Sequence, residues 1–310
     1  MITTKMGKIS RCPICNSVHF SLLISTMDFS SVKNEKFSYA QCSDCGVYFL
    51  FNRPTEDEIG NYYDRDYQPY VSWYNFLTEK FISYRTKKEV RLFGKLNKGA
   101  KKLLDVGCSW GKYIKDMHDY GGFSVIGVEF NKKMCSVGQN KLGLDIRHGN
   151  LIEQKFDDNS FDIIVLSHVI EHLYNPKEVI KEIYRILSLN GLVFIKTPNI
   201  NTFERRIFAK YWFPFEAPRH TVLFNKKNLC LLLSRNSFVI RKVIYEKTPN
   251  NIILSIKNYF IDKKYPKLIV NFFNLNNYLL LVLLTPISFL LGLLKTSGRI
   301  VVLAQKNNTK

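Results

Sequence analysis

Three side chains that can accept a proton or bind a metal lie within one short stretch, "HVIEH", which contains His168, Glu171 and His172. Two histidines four residues apart share one face of a helix, and with the glutamate they form the H-x-x-E-H pattern of one group of zinc peptidases. The stretch follows an apolar run, "FDIIVL", and the next helix begins at Asn175 and Pro176, so the five residues form only a short turn. We can single out no distal glutamate as a third metal ligand. The surroundings therefore favour a general base over a peptidase zinc site.

Four of the seven cysteines form two C-x-x-C pairs near the N-terminus and indicate a different metal site. "CPIC" contains Cys12 and Cys15, and "CSDC" contains Cys42 and Cys45. Each pair presents two thiolates from one tight turn, so two pairs complete a tetrahedral zinc site and leave no position for water. The 26 residues between the pairs exceed the roughly 15–20 residues that are typical of zinc ribbons. We predict a structural zinc that holds the fold and takes no part in catalysis.

The elements that would position the "HVIEH" stretch change in character at about residue 101. Short apolar runs then alternate with stretches of helical periodicity, which is typical of βαβ units and a mostly parallel sheet. We predict strands at 102–107, 124–130, 145–150, 161–169, 192–199, 239–247 and 298–306, and helices at 109–121, 131–143, 175–191 and 224–238. In a doubly wound sheet, ligands bind outside the carboxyl ends of the strands. The "HVIEH" stretch follows the fourth strand and is therefore predicted to lie at that edge.

The first predicted strand ends in a glycine-containing turn, "LLDVGCSWG", which contains Asp105, Gly107 and Gly111. Glycines here let the backbone bend sharply and approach a ligand closely, and the following helix N-terminus adds hydrogen-bond donors. The second strand ends in Glu129, whose carboxylate is placed to accept hydrogen bonds from two ribose hydroxyls. Lys112 stands where a G-x-G-x-x-G motif has its third glycine, so a hydride-transfer enzyme is not favoured.

Four stretches together resemble the motifs of the class I S-adenosylmethionine-dependent methyltransferases: "LLDVGCSWGKYI", "VIGVEFN", "FDIIVLSHVIEHLYNP" and "LSLNGLVFIKTPN". The resemblance covers about residues 99–247 and 298–306. It implies an α/β fold with a Rossmann-like, doubly wound sheet of seven strands, the last one antiparallel, and S-adenosylmethionine as cofactor. The C-x-x-C pairs with "RPTEDEIGNYY" resemble a zinc-binding N-terminal segment on a subset of these enzymes, including sugar-modifying ones.

The resemblance also implies which residues line the cofactor pocket. Asp105, Gly107 and Gly111 would lie on the methionine and ribose side, Glu129 would bind the ribose hydroxyls, and Asn150 would face the adenine amine. The other pocket residues that it implies are Cys108, Ser109, Leu151 and Ser167. At two positions the chain departs from the common family pattern, because Ser109 replaces a third glycine and Asn150 replaces an acid. These departures bear on cofactor affinity rather than on the fold.

The cysteine pairs, the helical periodicity and the resemblance together divide the chain into three regions. We predict a zinc-ribbon-like module at 1–70, a connecting helix at 71–98 and a methyltransferase domain at 99–310, with a hydrophobic helical insertion at 248–296. The formal net charge of +19 favours an anionic partner such as nucleic acid, anionic lipid or a phosphorylated substrate. A genome biased towards Lys, Asn, Ile and Phe codons would give the same charge without any binding role.

The insertion contains an apolar segment, Tyr278 to Leu294, with 17 residues that carry no charge and with Pro286 in its middle. A spanning helix needs about 20 apolar residues, with about 17 as the lower limit. A single crossing would separate the last strand from its sheet, so we predict an element that lies on the membrane surface. The last seventy residues carry eleven basic and two acidic side chains, which favours anionic lipid. A buried helical hairpin or a dimer interface is the alternative.

The expected compartment is the cytoplasm, with the inner face of the membrane as a peripheral site. The N-terminal stretch "MITTKMGKISRCPIC" has no apolar segment of the kind that export signals carry. Seven cysteines without such a signal argue against a disulfide framework and for reduced thiols.

The implied reaction is in-line attack of an acceptor on the sulfonium methyl, and an alcohol acceptor also needs a base. The candidates are His172, His168, Glu171 and His220, each histidine having a structural hydrogen bond as its alternative role. We predict O-methylation of a sugar or of a lipid- or nucleotide-linked glycan. Two alternatives remain open: an RNA methyltransferase whose zinc module binds nucleic acid, and a non-enzymatic zinc-ribbon interaction protein.

Overall fold

The N-terminal part of the chain forms a small antiparallel β module. The computed structural model of the protein describes residues 6–29, 35–63 and 76–307. The first strands are β1 (Met6–Lys8), β2 (Phe20–Met27), β3 (Lys36–Cys42), β4 (Tyr48–Leu50) and β5 (Asn52–Pro54). β3 pairs with β2 and β4 in one sheet, and β1 pairs with β5. The predicted module and connecting helix extend over positions 1–5, 30–34 and 64–75, which lie outside the described residues.

A mixed sheet of seven strands forms the centre of the molecule. The remaining strands are β6 (Lys102–Val106), β7 (Ser124–Glu129), β8 (Ile146–His148), β9 (Phe161–Ser167), β10 (Leu187–Pro198), β11 (Val222–Leu223), β12 (Phe238–Tyr245) and β13 (Arg299–Lys306). All of these except β11 form one sheet in the order β8-β7-β6-β9-β10-β13-β12. The pairs from β8 to β10 are parallel, whereas β13 is antiparallel to both neighbours. The predicted Rossmann-like sheet and its antiparallel last strand are confirmed.

Helices cover both faces of this sheet. They are α1 (Phe76–Leu96), α2 (Lys112–Gly121), α3 (Lys132–Leu142), α4 (Pro176–Ile186), α5 (Phe203–Phe208), α6 (Lys226–Ser234), α7 (Asn250–Asp262), α8 (Lys267–Phe272) and α9 (Tyr278–Leu293). Successive side chains of a strand point to opposite faces. Leu103 and Ile163 accordingly pack in one core cluster with α1, α2 and α3, and Leu104 and Ile164 pack in another with α4 and α6.

The predicted helix at 175–191 is five residues too long. α4 begins at Pro176, whose fixed φ suits a first helical position, but it ends at Ile186. Leu187 already pairs with β9, so β10 starts earlier than the predicted 192. Gly191 therefore lies within β10 and not beyond a helix end, and a Cβ there would come 2.6 Å from Leu187 Cδ2. Burial of Leu187 against β9 outweighs the local signal that a glycine gives for a helix end.

The short strand β11 joins the N-terminal sheet to the part of the chain that forms the seven-stranded sheet. It pairs with β4 and so extends the sheet formed by β2, β3 and β4. Close by, the Tyr39 hydroxyl lies 2.6 Å from the carbonyl oxygens of Phe215 and His220. The Arg219 guanidinium donates to both carboxylate oxygens of Asp28, at 2.8 and 3.1 Å, in a buried pair. The N-terminal sheet and the loop before α6 are thus tied by strand pairing, by hydrogen bonds and by an ion pair.

The predicted insertion at 248–296 consists of α7, α8 and α9. Pro286 lies inside α9. Within the described part of the chain, no helix is long and apolar enough to cross a membrane. After α9 the chain returns to the sheet as β13, between β10 and β12.

Candidate active site

The backbone of the turn between β6 and α2 lies in contact with the chain segment that follows β9. Gly107 and Gly111 have φ values of +74° and +85°, in the left-handed region that side chains rarely adopt. A Cβ on Gly107 would lie 2.5 Å from Val169 Cγ2, and one on Gly111 would lie 2.6 Å from Leu144 Cδ1. Only glycine leaves the room that this turn needs. β6 and β9 are adjacent strands, and the chain continues from them towards opposite edges of the sheet, so the turn lies at a topological switch point.

Two buried carboxylates stand at the carboxyl ends of β6 and β7. Glu129 accepts hydrogen bonds from the backbone N–H groups of Ser109, at 2.9 Å, and Asn131, at 2.7 Å, and so fixes the turn. Asp105 is only 3% exposed, and among the described residues its Oδ1 has no hydrogen-bond partner. Burial, together with the charges of Glu129 and Glu89, raises the pKa of Asp105 well above its usual value. Burial and these negative charges outweigh the nearby cation Lys196, which lowers the pKa of Asp105.

Sequence reasoning missed a charged network that lies beside these acids. Lys196 Nζ is 3.3 Å from Glu246 Oε1 and 3.8 Å from Glu89 Oε1, and Arg85 also bonds to Glu246. These cations hold the pKa of the buried Glu246 at about 2, against burial, which raises it. The one local signal was Lys196 itself, a charged residue in the otherwise apolar run "LVFIKTP". Its partners come from α1 and from the end of β12. No motif spacing in the sequence predicts that these segments meet.

The other residues implied to bind a cofactor fall into two groups. Ser109 and Ser167 lie near the turn and at the end of β9, and the buried Ser109 hydroxyl has no hydrogen-bond partner in the described chain. The side chains of Cys108 and Leu151 are buried in hydrophobic core clusters. Only their backbone atoms are therefore available to contact a ligand. Asn150 is exposed, and its side-chain oxygen already accepts the backbone N–H of Glu153 at 3.0 Å. Its contact with adenine remains a prediction.

His168 and Glu171 form a pair at the end of β9. His168 Nδ1 lies 3.2 Å from Glu171 Oε1, and the other carboxylate oxygen accepts from the Thr197 hydroxyl at 2.9 Å. The His168 side chain is 34% exposed, whereas Glu171 is fully buried. His168 has a φ of +59°, a conformation that non-glycine residues adopt mainly at strained or functional positions. Burial lowers the pKa of His168 below its usual 6.5, although the bond to Glu171 raises it.

His172 and His220 lie deeper, in contact with the N-terminal module. His172 Nδ1 is 3.1 Å from the Arg219 carbonyl oxygen and 3.0 Å from the Tyr63 hydroxyl. His220 is buried and donates from Nδ1 to the Pro214 carbonyl at 2.7 Å. The two rings meet edge to face at 4.6 Å.

The Glu171 and histidine cluster is also a possible metal set by distance alone, since ligand atoms of Glu171, His172 and His220 lie within 4.8 Å of one another. Both Glu171 oxygens and one ring nitrogen of each histidine already form hydrogen bonds inside the protein. Burial and the neighbouring His220 lower the pKa of His172 to about 4, so its ring is neutral at pH 7. The arrangement is that of a hydrogen-bonded junction between two parts of the chain.

The four predicted zinc ligands meet at one point of the N-terminal module. Cys12 Sγ is 3.5 Å from Cys45 Sγ, and Cys15 Sγ is 3.5 Å from Cys42 Sγ. All four sulfurs lie within 4.8 Å of one another. A tetrahedron with Zn–S bonds of about 2.3 Å has S–S edges of about 3.8 Å, so this four-cysteine cluster has the dimensions of a zinc site with four thiolate ligands.

The central part of the chain is similar to a methyltransferase domain. Residues 104–195 match the protein family described as a methyltransferase domain. The matched segment runs from β6 to β10 and contains the glycine turn, both buried carboxylates and the "HVIEH" stretch.

Two curated proteins show what the chain is similar to. It is 35% identical over 103 residues to a protein of Mycolicibacterium smegmatis named a probable S-adenosylmethionine-dependent methyltransferase, covering 33% of this chain and 40% of that protein. It is 32% identical over 147 residues to the ubiquinone biosynthesis O-methyltransferase of Pelagibacter ubique, covering 41% of this chain and 60% of that protein. The chain thus spans less than two thirds of the length of both relatives.

A solved structure extends the likeness of fold beyond the matched segment. The phosphoethanolamine N-methyltransferase 2 of Haemonchus contortus aligns with a TM-score of 0.53 at 17% identity, covering 93% of this chain and 68% of that one. At this identity the likeness shows the fold alone.

Proposed function

We propose that the protein transfers a methyl group from S-adenosylmethionine to a hydroxyl group of a small acceptor. The observation that carries the proposal is the contact between Gly107 and Val169. This contact brings the glycine turn, with its buried acids, next to His168 and Glu171. A candidate donor site and a candidate base therefore lie side by side.

The residues present fit S-adenosylmethionine on three counts. The Asp105 oxygen and the Ser109 hydroxyl are buried without partners in the described chain, and burial with the charges of Glu129 and Glu89 disfavours the ionised form of Asp105 despite the nearby Lys196. S-adenosylmethionine carries an ammonium and a sulfonium group, so it would supply both donors and charge. Glu129 is held at the end of β7, where an acid accepts ribose hydroxyls in doubly wound folds. When bound, the cofactor supplies an electrophilic methyl group; the protein positions it.

On the acceptor side, we assign the role of base to His168, ahead of His172. The pKa of Glu171 is held at about 2, in part by its hydrogen bond to His168, so Glu171 is ionised and too weak a base. Its carboxylate instead orients the His168 ring, whose Nδ1 donates and whose Nε2 is left to accept a proton. The exposed fraction of His168 keeps that ring edge within reach of an acceptor. His172 and His220 stabilise the junction with the N-terminal module.

The acceptor class follows from two lines of support. The sequence resemblance favours a sugar or a lipid- or nucleotide-linked glycan, and the named Pelagibacter ubique relative acts in ubiquinone biosynthesis as an O-methyltransferase. Both classes offer a hydroxyl that must lose a proton as the methyl group arrives. The net charge of +19 suits an acceptor or carrier with phosphate groups.

The four-cysteine cluster is proposed to hold one structural zinc ion. Four sulfur ligands close the coordination shell, so the ion would stabilise the module and provide no site for water activation. Because β11 pairs with β4, a stable module also supports the loop that carries His220.

Calorimetry and methyl labelling test the function. We expect S-adenosylmethionine to bind, and expect tritium from its methyl group to enter a lipid extract or a pool of nucleotide sugars as an alkali-stable ether. Asp105→Asn should weaken binding, and Asp119→Asn, on the outer face of α2, serves as the matched control. Label that enters only bulk RNA would overturn the acceptor assignment, and a protein that binds no S-adenosylmethionine would overturn the proposal itself.

A further inference from the structure

An unusually apolar surface covers one end of the molecule. Of the 26 large hydrophobic side chains that are exposed in the described residues, 14 lie between Tyr265 and Leu294, on α8, α9 and the loop between them. Leu268 is 84% exposed and Val282 is 69% exposed. We call the exposed side chains of residues 265–294 the α8–α9 face. Monomeric soluble proteins rarely leave so continuous an apolar patch without a partner.

One narrow strip of α9 holds this helix on the body of the protein. Leu280, Ser288, Leu291 and Gly292 are the buried positions of this helix. Gly292 packs on Lys247, whose Nζ lies 3.9 Å above the Phe289 ring. The strip anchors α9, and the apolar side chains around the rest of the helix point away from the core.

The exposed charged side chains that flank the α8–α9 face along the chain are positive, and the neighbouring Asp262 is paired with Lys210 at 3.0 Å. From Lys263 to the end of the chain there is no acidic residue. Lys263, Lys264 and Lys267 are exposed just before and at the start of α8, and Lys295 is exposed just after α9. Tyr265 and Tyr278, whose rings have an apolar body and a polar tip, are exposed at the starts of the two elements. An apolar face with a basic border complements an anionic lipid bilayer.

A cavity of about 510 Å³ opens beside this face, between α5, α7 and α9. Its lining residues are apolar except for Glu204 and Thr296, and they include Phe203, Ile207, Ile252, Leu290 and Leu294. Leu290 and Leu294 belong to the cavity and to the α8–α9 face, so the two are continuous. α5 begins shortly after β10 ends, and the Thr202 hydroxyl donates to the Thr296 carbonyl at 2.6 Å. The cavity therefore adjoins the strand edge at which the acceptor is expected.

We propose that the α8–α9 face docks on an anionic lipid bilayer, with α9 lying in the plane of the interface, and that the cavity takes one hydrocarbon chain from it. Docking is independent of methyl transfer. The consequence that the acceptor carries an apolar chain rests on the proposed function.

Vesicle flotation tests the docking. The full chain should float with vesicles of phosphatidylcholine and phosphatidylglycerol, and much less with phosphatidylcholine alone. The triple variant Leu279→Gln, Val282→Gln and Leu283→Gln changes only side chains that are 59–69% exposed, and it should lose binding by more than about tenfold. Leu189→Gln, which is 65% exposed on β10, is the control and should float as the wild type does.

Two further measurements distinguish lipid docking from dimerisation and from S-adenosylmethionine binding. Light scattering without lipid should give the same mass for wild type and triple variant; a wild-type dimer that the variant dissociates would assign the face to a second copy. S-adenosylmethionine binding by calorimetry should be unchanged in the triple variant, so a failure of docking and a failure of the proposed function are distinguishable. Equal flotation of wild type and triple variant would overturn the docking proposal.

Discussion

His168 Nδ1 lies 3.2 Å from Glu171 Oε1, and the two residues differ sharply in exposure, with the ring partly exposed and the carboxylate fully buried. A buried, ionised carboxylate that accepts from one ring nitrogen fixes the tautomer and leaves the other nitrogen as an acceptor. We therefore propose that the H-x-x-E-H pattern provides a base and its positioning residue, rather than three metal ligands.

Replacing His168 separates its role from that of His172. We expect His168→Ala to lower kcat by about 100-fold or more, in the range that general bases contribute, with S-adenosylmethionine affinity unchanged. His172→Ala should chiefly lower stability, because it removes contacts with Arg219 and Tyr63. Assays of methyl transfer and of thermal unfolding in both variants distinguish the catalytic role from the structural one. A His172→Ala protein that is stable but inactive would instead assign the role of base to His172.

The pH dependence of kcat reports on the same pair. As the proposed base, His168 must be neutral to accept a proton. Its pKa lies below the usual 6.5, so kcat should fall only when the pH drops below that value. Glu171 raises the pKa of His168, so Glu171→Gln should move the acid limb to lower pH as well as lower kcat. A purely structural Glu171 would leave the position of the acid limb unchanged, which a pH–rate profile with the labelled acceptor detects.

Asp105→Asn should weaken S-adenosylmethionine binding by about 10- to 100-fold, because a neutral amide cannot compensate an ammonium group in a buried site. The fold should persist, since the unpartnered oxygen of Asp105 makes no hydrogen bond to the described chain that could be lost. Calorimetry at fixed pH measures the change. Asp119→Asn should bind as the wild type does, and equal weakening in both variants would contradict the assignment.

The parts of the fold that local pattern determines were predictable, and the long-range contacts were not. Apolar runs and the glycines at 107 and 111 predict the strands and the switch-point turn, because each signal lies within a few residues. The ion pairs of Lys196 join α1, β10 and the end of β12, and β11 pairs with a strand from the far N-terminal part of the chain. The end of α4 was missed because packing of Leu187 in the sheet outweighs the glycine signal at 191.

The four-cysteine cluster should contain one zinc ion per chain, measured by plasma mass spectrometry. Cys42→Ser removes one buried ligand, so we expect zinc content to fall and the free energy of unfolding to drop by more than about 2 kcal/mol. Cys230→Ser, on α6 and outside the cluster, is the control and should keep its zinc. Wild-type protein that is metal-free after purification in zinc-containing medium would contradict the prediction.

The buried Glu246 should make the protein sensitive to acid. Its pKa is about 2 in the folded chain against an ordinary 4.5, because Lys196 and Arg85 favour its charged form. A carboxyl group with a depressed folded pKa stabilises the protein fully above its unfolded pKa, and this contribution is lost as the pH falls from about 4.5 to 2. We expect a loss of roughly 1–3 kcal/mol from this residue over that interval in urea titrations. Glu246→Gln should be less stable at pH 7, because two largely buried cations lose their partner, and its stability should depend less on pH between 4.5 and 2. An unchanged pH dependence in the variant would show that the charge of Glu246 does not hold α1 to the sheet.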